Sequence, residues 1–267
     1  MLVCPICKKP LYSKDNRFVC ESNHSFDIAK EGYVNLLLSN KKNSLNPGDN
    51  QEMVNARECF LSKDYYAPLR YKICEYLNAS LNSNSTMLDA GCGTGYYSSY
   101  IFKNCGYVTT LFGVDISKFA VQKAAKKAKN ATFFVGSIFD LPISDKSIDV
   151  ILNIFSPKAM DEYKRVIKHE GILIQVMPGK EHLIELKRAI YKDKTYENEV
   201  EYSYGGLNLL DKMHVRYNID VDKDDMMHLF TMTPYLYKTP IDMIKELDKI
   251  DALNITIDFE IAIWQNA

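Results

Sequence analysis

The run Met87-Leu88-Asp89-Ala90-Gly91-Cys92-Gly93-Thr94-Gly95-Tyr96-Tyr97 limits what this chain can fold into more than any other, because it reads as an apolar strand, a glycine turn and the start of a helix. Glycines at 91, 93 and 95 let the backbone turn tightly with no Cβ in the way, so a ligand can approach the main chain closely. Asp89 stands inside the strand end, ahead of the turn. Twenty residues on, Leu111-Phe112-Gly113-Val114-Asp115 reads as a second short strand ending in an acid, the expected place for an acceptor of ribose hydroxyls.

Strand, glycines, helix and spaced acid together predict a nucleoside cofactor. A dinucleotide fingerprint would place its third glycine at 97, where this chain has a bulky tyrosine, which weakens the pyrophosphate reading. A carboxylate at 89 suits a ligand with ammonium and sulfonium character, so the expected cofactor is S-adenosylmethionine. The alternation continues with a helix from Ser117 to about Asn130, a strand at Ala131 to Val135, and the strand Ile148 to Ile154. A helix over Lys158 to Lys168 and the strand Gly171 to Val176 follow. Strands alternating with helices predict a doubly wound α/β sheet whose ligands sit beyond the carboxyl ends of its strands. Asn153-Ile154-Phe155-Ser156-Pro157 falls at such an end, where it either accepts the group to be modified or serves as a plain strand-to-helix turn.

The amino terminus carries a second signal. Cys4-Pro5-Ile6-Cys7 and Cys20-Glu21-Ser22-Asn23-His24 are two ligand knuckles with twelve residues between them. Tetrahedral zinc takes four thiolate or imidazole ligands, and two close pairs on separate turns deliver them. Cys4, Cys7, Cys20 and His24 are therefore the expected ligands of one structural zinc, in a ribbon with short strands at Leu11-Tyr12 and Phe18-Val19. All four positions are filled by protein and none is left for water. The seven cysteines, odd in number and scattered, favour reduced thiols and metal ligands over a disulfide framework.

A turn-rich run from Ser39 to Asn50 reads as a linker or substrate loop, and two helical segments are expected between Gln51 and Asn82. Tyr66, between them, is read either as a cofactor contact or as a core tyrosine. Past the fifth strand, Pro178-Gly179-Lys180-Glu181-His182-Leu183 turns into a helix and sets His182 at the rim of the crevice. A strand near Met213 to Ile219, helical stretches around Met226 to Phe230 and Ile241 to Ile250, and a strictly alternating strand from Ile255 to Trp264 complete the chain. The last is expected to be half-exposed and antiparallel.

The net charge of −1 argues against a protein coated in positive charge for nucleic-acid binding, although Lys118, Lys123, Lys126, Lys127 and Lys129 crowd one helix. No apolar run approaches the roughly 20 residues of a membrane span. A cytoplasmic protein with no membrane partner is expected.

A four-ligand zinc module joined to this core resembles the large-subunit (23S) ribosomal RNA guanine-N1 methyltransferases, a family of zinc-containing class I methyltransferases that includes macrolide-resistance members. The resemblance covers essentially the whole chain. It rests on the four ligands and on the run Ala29 to Leu37, then Pro47-Gly48-Asp49, Met53, Ala56-Arg57, Phe60-Leu61, Tyr66 and Pro68-Leu69. It continues through Leu88-Asp89, Gly91-Cys92-Gly93, Gly95-Tyr96-Tyr97, Pro178-Gly179, His182-Leu183, Met232-Thr233-Pro234 and Trp264-Gln265. The fold it implies is a class I methyltransferase (Rossmann-like) mixed seven-stranded sheet with a small N-terminal zinc-ribbon module. Residues 1–37 would be the zinc-binding RNA-recognition module, 38–82 a linker and helices covering the cofactor, and 83–267 the methyltransferase domain.

The resemblance further implies cofactor contacts from Tyr66, Gly93, Thr94 and His182, alongside Asp89, Gly91, Gly95 and Asp115. It implies a ribosomal RNA hairpin as the partner, and a homodimer with a shared RNA cleft. Two positions depart from the family pattern: Thr94 stands where an acid is typical, and Asp64 where a glycine often lies. No general base is named by the spacing. The rival readings are a class I methyltransferase acting on a small metabolite and a non-catalytic zinc-bearing RNA-binding protein.

Overall fold

The computed structural model describes residues 1–39, 47–191, 198–202 and 205–267. Residues 40–46 of the expected linker lie outside the described residues. In chain order, the amino-terminal part contributes β1 (Leu11–Lys14), β2 (Arg17–Cys20), β3 (Ser25–Asp27), β4 (Tyr33–Asn35), α1 (Gln51–Ser62) and α2 (Ala67–Ser80). The alternating core follows as β5 (Ser85–Ala90), α3 (Tyr96–Asn104), β6 (Val108–Asp115), α4 (Lys118–Lys127), β7 (Thr132–Val135), β8 (Ile148–Ile154), α5 (Met160–Val166), β9 (Ile167–Pro178) and α6 (Ile184–Tyr191). Then come β10 (Leu207–Asp222), α7 (Lys223–Thr231), α8 (Tyr235–Lys238), α9 (Ile241–Leu247) and β11 (Ala252–Asn266).

β1, β2 and β3 form a small antiparallel sheet; the other strands form one large sheet in the order β10-β11-β9-β8-β5-β6-β7-β4. Its central strands are parallel and mostly apolar, as expected of strands covered by helices on both faces. β5 is buried along its whole length. Met87 packs into the cluster on one face of the sheet, while Leu88 and Ala90 join the cluster on the other. Helix starts follow their caps: the side chains of Asn50, Ser117 and Asp222 accept backbone N–H groups at the heads of α1, α4 and α7.

Among the described residues the sheet has eight strands, not the expected seven. The extra one is β4, which pairs in parallel with β7 through Tyr33–Phe133, Val34–Phe134 and Asn35–Val135. It comes from the segment between zinc ribbon and linker, whose apolar residues satisfy their backbone groups at the sheet edge. The helix expected over Lys158 to Lys168 stops at Val166, because Ile167 already pairs with Ile148. β11 differs from the half-exposed strand that its alternation predicts. It is antiparallel as expected, but it lies between β9 and β10 and is buried on both faces for most of its length. Its buried polar residues have partners: Thr256 donates to Glu185, and the Asp258 carboxylate accepts the Glu181 N–H.

The zinc ribbon is welded to the large sheet. Leu2 bridges Ile143, the Val3 N–H donates to the Pro142 carbonyl at 2.9 Å, and Lys8 pairs with Asp140 at 2.9 Å. Leu2, Cys4, Leu11 and Cys20 share one apolar cluster with Leu36, Leu141 and Ile143.

Candidate cofactor crevice and metal centre

The glycine turn lies at the carboxyl end of β5 and is tied to β6, since the N–H groups of Gly91 and Cys92 both donate to the Val114 carbonyl at 2.9 Å. Two of its glycines are required by the geometry. Gly91 has φ +89°, and a Cβ there would sit 2.2 Å from the Ser156 Oγ at the end of β8. Gly93 has φ +51°, and a Cβ there would meet no atom within 4 Å, so the main chain is open on that side.

Asp115 closes the turn from β6. Its Oδ2 accepts the Gly93 N–H at 2.9 Å and its Oδ1 the Ser117 N–H at 2.8 Å. Burial nonetheless raises its pKa, against those two bonds. Pro47-Gly48-Asp49 lies across the same strand end: the Ser117 hydroxyl donates to the Asp49 carbonyl, and Asp49 pairs with Arg57. Asp89 is buried beneath the turn, and burial, reinforced by the Asp115 charge, pushes its carboxyl up to about 7. An acid poised there suits a cationic ligand better than an anionic one.

A ligand that brings an ammonium group to Asp89 favours the ionised carboxylate, so binding should release a proton below pH 7. Cofactor affinity is then expected to fall by up to about tenfold per pH unit below 7 and to level off above it. Asp89→Asn should flatten that dependence. Calorimetry in two buffers of different ionisation enthalpy at pH 6.5 checks it, and equal heats from the wild type would contradict it.

Tyr66 and His182 are brought together, with ring centroids 6.1 Å apart, around Phe259. His182 does not stand open at the rim; it is buried, 8% exposed, and its Nδ1 accepts the Asp258 N–H at 3.3 Å. Burial and the Lys187 charge lower its pKa to about 3, so at neutral pH it is an uncharged ring and a weak base. Thr94 is buried, and its hydroxyl accepts from the Lys127 Nζ at 3.4 Å. Gly95, at φ +72°, caps α3. Asp64 explains the glycine typical of its position, because it adopts φ +62°, and its carboxylate is held by Arg70 at 3.0 Å and by the Tyr96 hydroxyl at 3.3 Å.

The Asn153 amide is already committed. Its Nδ2 donates to the Pro157 carbonyl at 3.0 Å and to the Tyr163 hydroxyl at 2.9 Å, which fixes the turn after β8. Sequence reasoning passed over Phe155 and Phe259 as individuals. Phe155 has φ +53°, is 44% exposed, and lies 5.3 Å from Phe259 between ring centroids. The signal for it was a bulky residue directly after a buried strand and before Ser-Pro.

At the amino terminus the four expected ligands converge. Their donor atoms lie within 4.8 Å of one another. Cys4 Sγ to His24 Nδ1, Cys20 Sγ to His24 Nδ1 and Cys7 Sγ to Cys20 Sγ are 3.5, 3.4 and 3.6 Å. The edge of a tetrahedron around a Zn–S bond is about 3.8 Å, so the set fits zinc. Each knuckle turns through a left-handed residue, Lys8 at φ 59° and Asn23 at φ 61°. The Lys9 N–H lowers the Cys7 thiol to about 6, toward the thiolate that zinc binds.

A mixed doubly wound sheet, a glycine turn on its first central strand and an acid on the next define a class I methyltransferase, which uses S-adenosylmethionine. Residues 2–45 match the family described as "RlmA, N-terminal", a zinc ribbon, and residues 81–232 match a "Methyltransferase domain" family. The putative 23S rRNA (guanine-N(1)-)-methyltransferase YxjB of Bacillus subtilis is 30% identical, covering 98% of this chain and 96% of that protein. The 23S rRNA (guanine(748)-N(1))-methyltransferase of Streptomyces fradiae is 29% identical over 97% and 95%. Among solved structures, YcgJ of Bacillus subtilis superposes with a TM-score of 0.51 at 18% identity, covering 74% of this chain and 97% of that one, a likeness of fold. The chain belongs to the 23S ribosomal RNA guanine-N1 methyltransferase family.

Proposed function

We propose that the protein transfers a methyl group from S-adenosylmethionine to N1 of a guanine in a hairpin loop of 23S ribosomal RNA. The observation that carries this reading is a zinc ribbon built into the edge of a class I methyltransferase sheet, in a chain aligned end to end with guanine-N1 enzymes. Residues 1–37 serve as the zinc-binding, RNA-recognising module, 38–82 as linker and cofactor-covering helices, and 83–267 as the transferase domain. Cys4, Cys7, Cys20 and His24 hold the zinc. Tyr66, Asp89, Gly91, Gly93, Thr94, Gly95, Asp115 and His182 hold the cofactor. A homodimer sharing one RNA cleft, working in the cytoplasm, completes the reading; no helix among the described residues is long and apolar enough to cross a membrane.

S-adenosylmethionine supplies an electrophilic methyl on a sulfonium. The residues do the positioning. Asp115 accepts ribose hydroxyls, Asp89 faces the positive methionine end, and the glycine turn lets the backbone close on the ligand. Guanine N1 bears a proton in the neutral base, so it becomes a good nucleophile only when that proton leaves. His182, at about 3, does not take that proton at neutral pH. Its Nδ1 is occupied by the Asp258 N–H, so its remaining nitrogen is a donor, suited to a polar atom of a ligand. In-line transfer needs donor and acceptor about 3 Å apart, and the Watson–Crick edge must be exposed by a loop or by flipping.

The test is to incubate the full chain with labelled S-adenosylmethionine and unmodified 23S ribosomal RNA, then map reverse-transcription stops. One new stop at a hairpin guanine, with label in the RNA, is expected. Label without a stop would move the methyl elsewhere on the nucleotide, and no label would favour a small-molecule substrate. Deleting residues 1–37 is a poor test, because it also removes β4 and the Leu2–Ile143 contact.

A further inference from the structure

We propose that Phe155 is the platform on which the target base stacks, so that the acceptor pocket lies over the ends of β8, β9 and β11. This rests on the reading above and specifies its substrate site. The sheet order β11-β9-β8-β5-β6 separates two stations. The glycine turn and Asp115 belong to β5 and β6. Phe155 follows β8, Phe259 lies in β11, and His182 lies in the turn after β9. Neighbouring strands are about 4.8 Å apart, so Phe155 sits beside the cofactor station on the side away from Asp115, with His182 bordering both. The two stations meet where Ser156 lies against Gly91.

Phe155 is built as an exposed surface. Most buried-strand phenylalanines hide their rings, but this one follows the buried Ile154 and keeps 44% of its surface open. Its backbone is left-handed, at φ +53°, a conformation that a bulky side chain rarely adopts, and its N–H is fixed to the Val176 carbonyl at 3.2 Å. Phe259 supports it from beneath at 5.3 Å, and the His182 ring stands nearly parallel to it, 10° off, with centroids 6.5 Å apart. A supported aromatic face open to solvent beside a methyl donor matches a planar base, because stacking holds the ring while leaving its edge free for transfer.

The experiment uses the full-length protein, wild type and the variants Phe155→Leu and Phe155→Trp, with 23S ribosomal RNA and labelled S-adenosylmethionine. Phe155→Leu keeps apolar bulk without an aromatic face, and it should lower kcat/KM for methyl transfer by about 10- to 100-fold. Phe155→Trp should restore transfer to within about threefold of wild type. Cofactor affinity, measured by calorimetry, should stay within about twofold in both. Phe155→Leu at wild-type rates overturns the proposal. So does a loss of cofactor affinity that matches the loss of rate, since the ring would then belong to the cofactor site. Absence of transfer by the wild type removes the functional reading, and this inference with it.

Discussion

Stripping zinc from the protein is expected to unfold residues 1–37 and to free the β4 edge of the large sheet. The ribbon's strands are only three or four residues long and its turns strained, so little besides the metal holds the two knuckles together. Zinc binding in such modules supplies on the order of 10 kcal/mol, as much as the whole stability of many domains. The damage should spread, because Cys4 and Cys20 belong to the apolar cluster that contains Val34, Leu36, Leu141 and Ile143. Chelation followed by hydrogen exchange should show about one zinc released per chain and lost amide protection through residues 2–36. Protection retained in a demonstrably metal-free preparation would defeat the prediction. Cys20→Ser should reproduce the effect without a chelator.

Asp115→Ala should abolish most cofactor binding while leaving RNA affinity nearly unchanged. A carboxylate that accepts two ribose hydroxyls supplies charge-assisted bonds of about 1.5–3 kcal/mol each, so at least about a 100-fold loss of affinity is expected. Part of the loss would come through the turn itself, because the Gly93 N–H loses the acceptor that holds it at 2.9 Å. Asp115→Asn, which keeps the size and loses the charge, should fall between the two. Calorimetry with S-adenosylhomocysteine measures the first quantity and a filter-binding titration with ribosomal RNA the second. Equal cofactor affinity in the alanine variant would remove Asp115 from the ribose site.

Short-range features were legible in the chain. The turn from Asp89 to Gly95, the acid at 115 and the two zinc knuckles depend on neighbours within a few residues, and each is where its spacing placed it. Features decided by distant partners were not. β4 becomes a strand only because the β7 edge, a hundred residues away, has free backbone groups to receive it. The alternation in β11 marks an extended segment, but its burial on both faces depends on distant parts of the chain, which bury Phe259 and Ile261 in one apolar cluster and Ala262 and Trp264 in the other. His182 reads the same in sequence whether it lines a rim or packs against Phe259, and the difference sets it near pKa 3. Asp64 and Thr94 looked like losses against the family pattern. The first keeps the left-handed backbone by gaining Arg70 and Tyr96 as partners, and the second is buried beside a lysine that pairs with Glu58.

The place of β11 also bears on how the protein is made. Among the described residues β10, 16 residues long, pairs with β11 alone, while β9 receives β11 on its other side. During synthesis, β10 therefore emerges before its partner exists and presents unpaired backbone to other nascent chains, the exposure that invites aggregation. At the opposite end, Leu2 and Val3 are made early and wait for Pro142 and Ile143. Order of synthesis is thus not order of assembly, and a ribosome paused before residue 252 holds a β9 and a β10 without the strand that joins them.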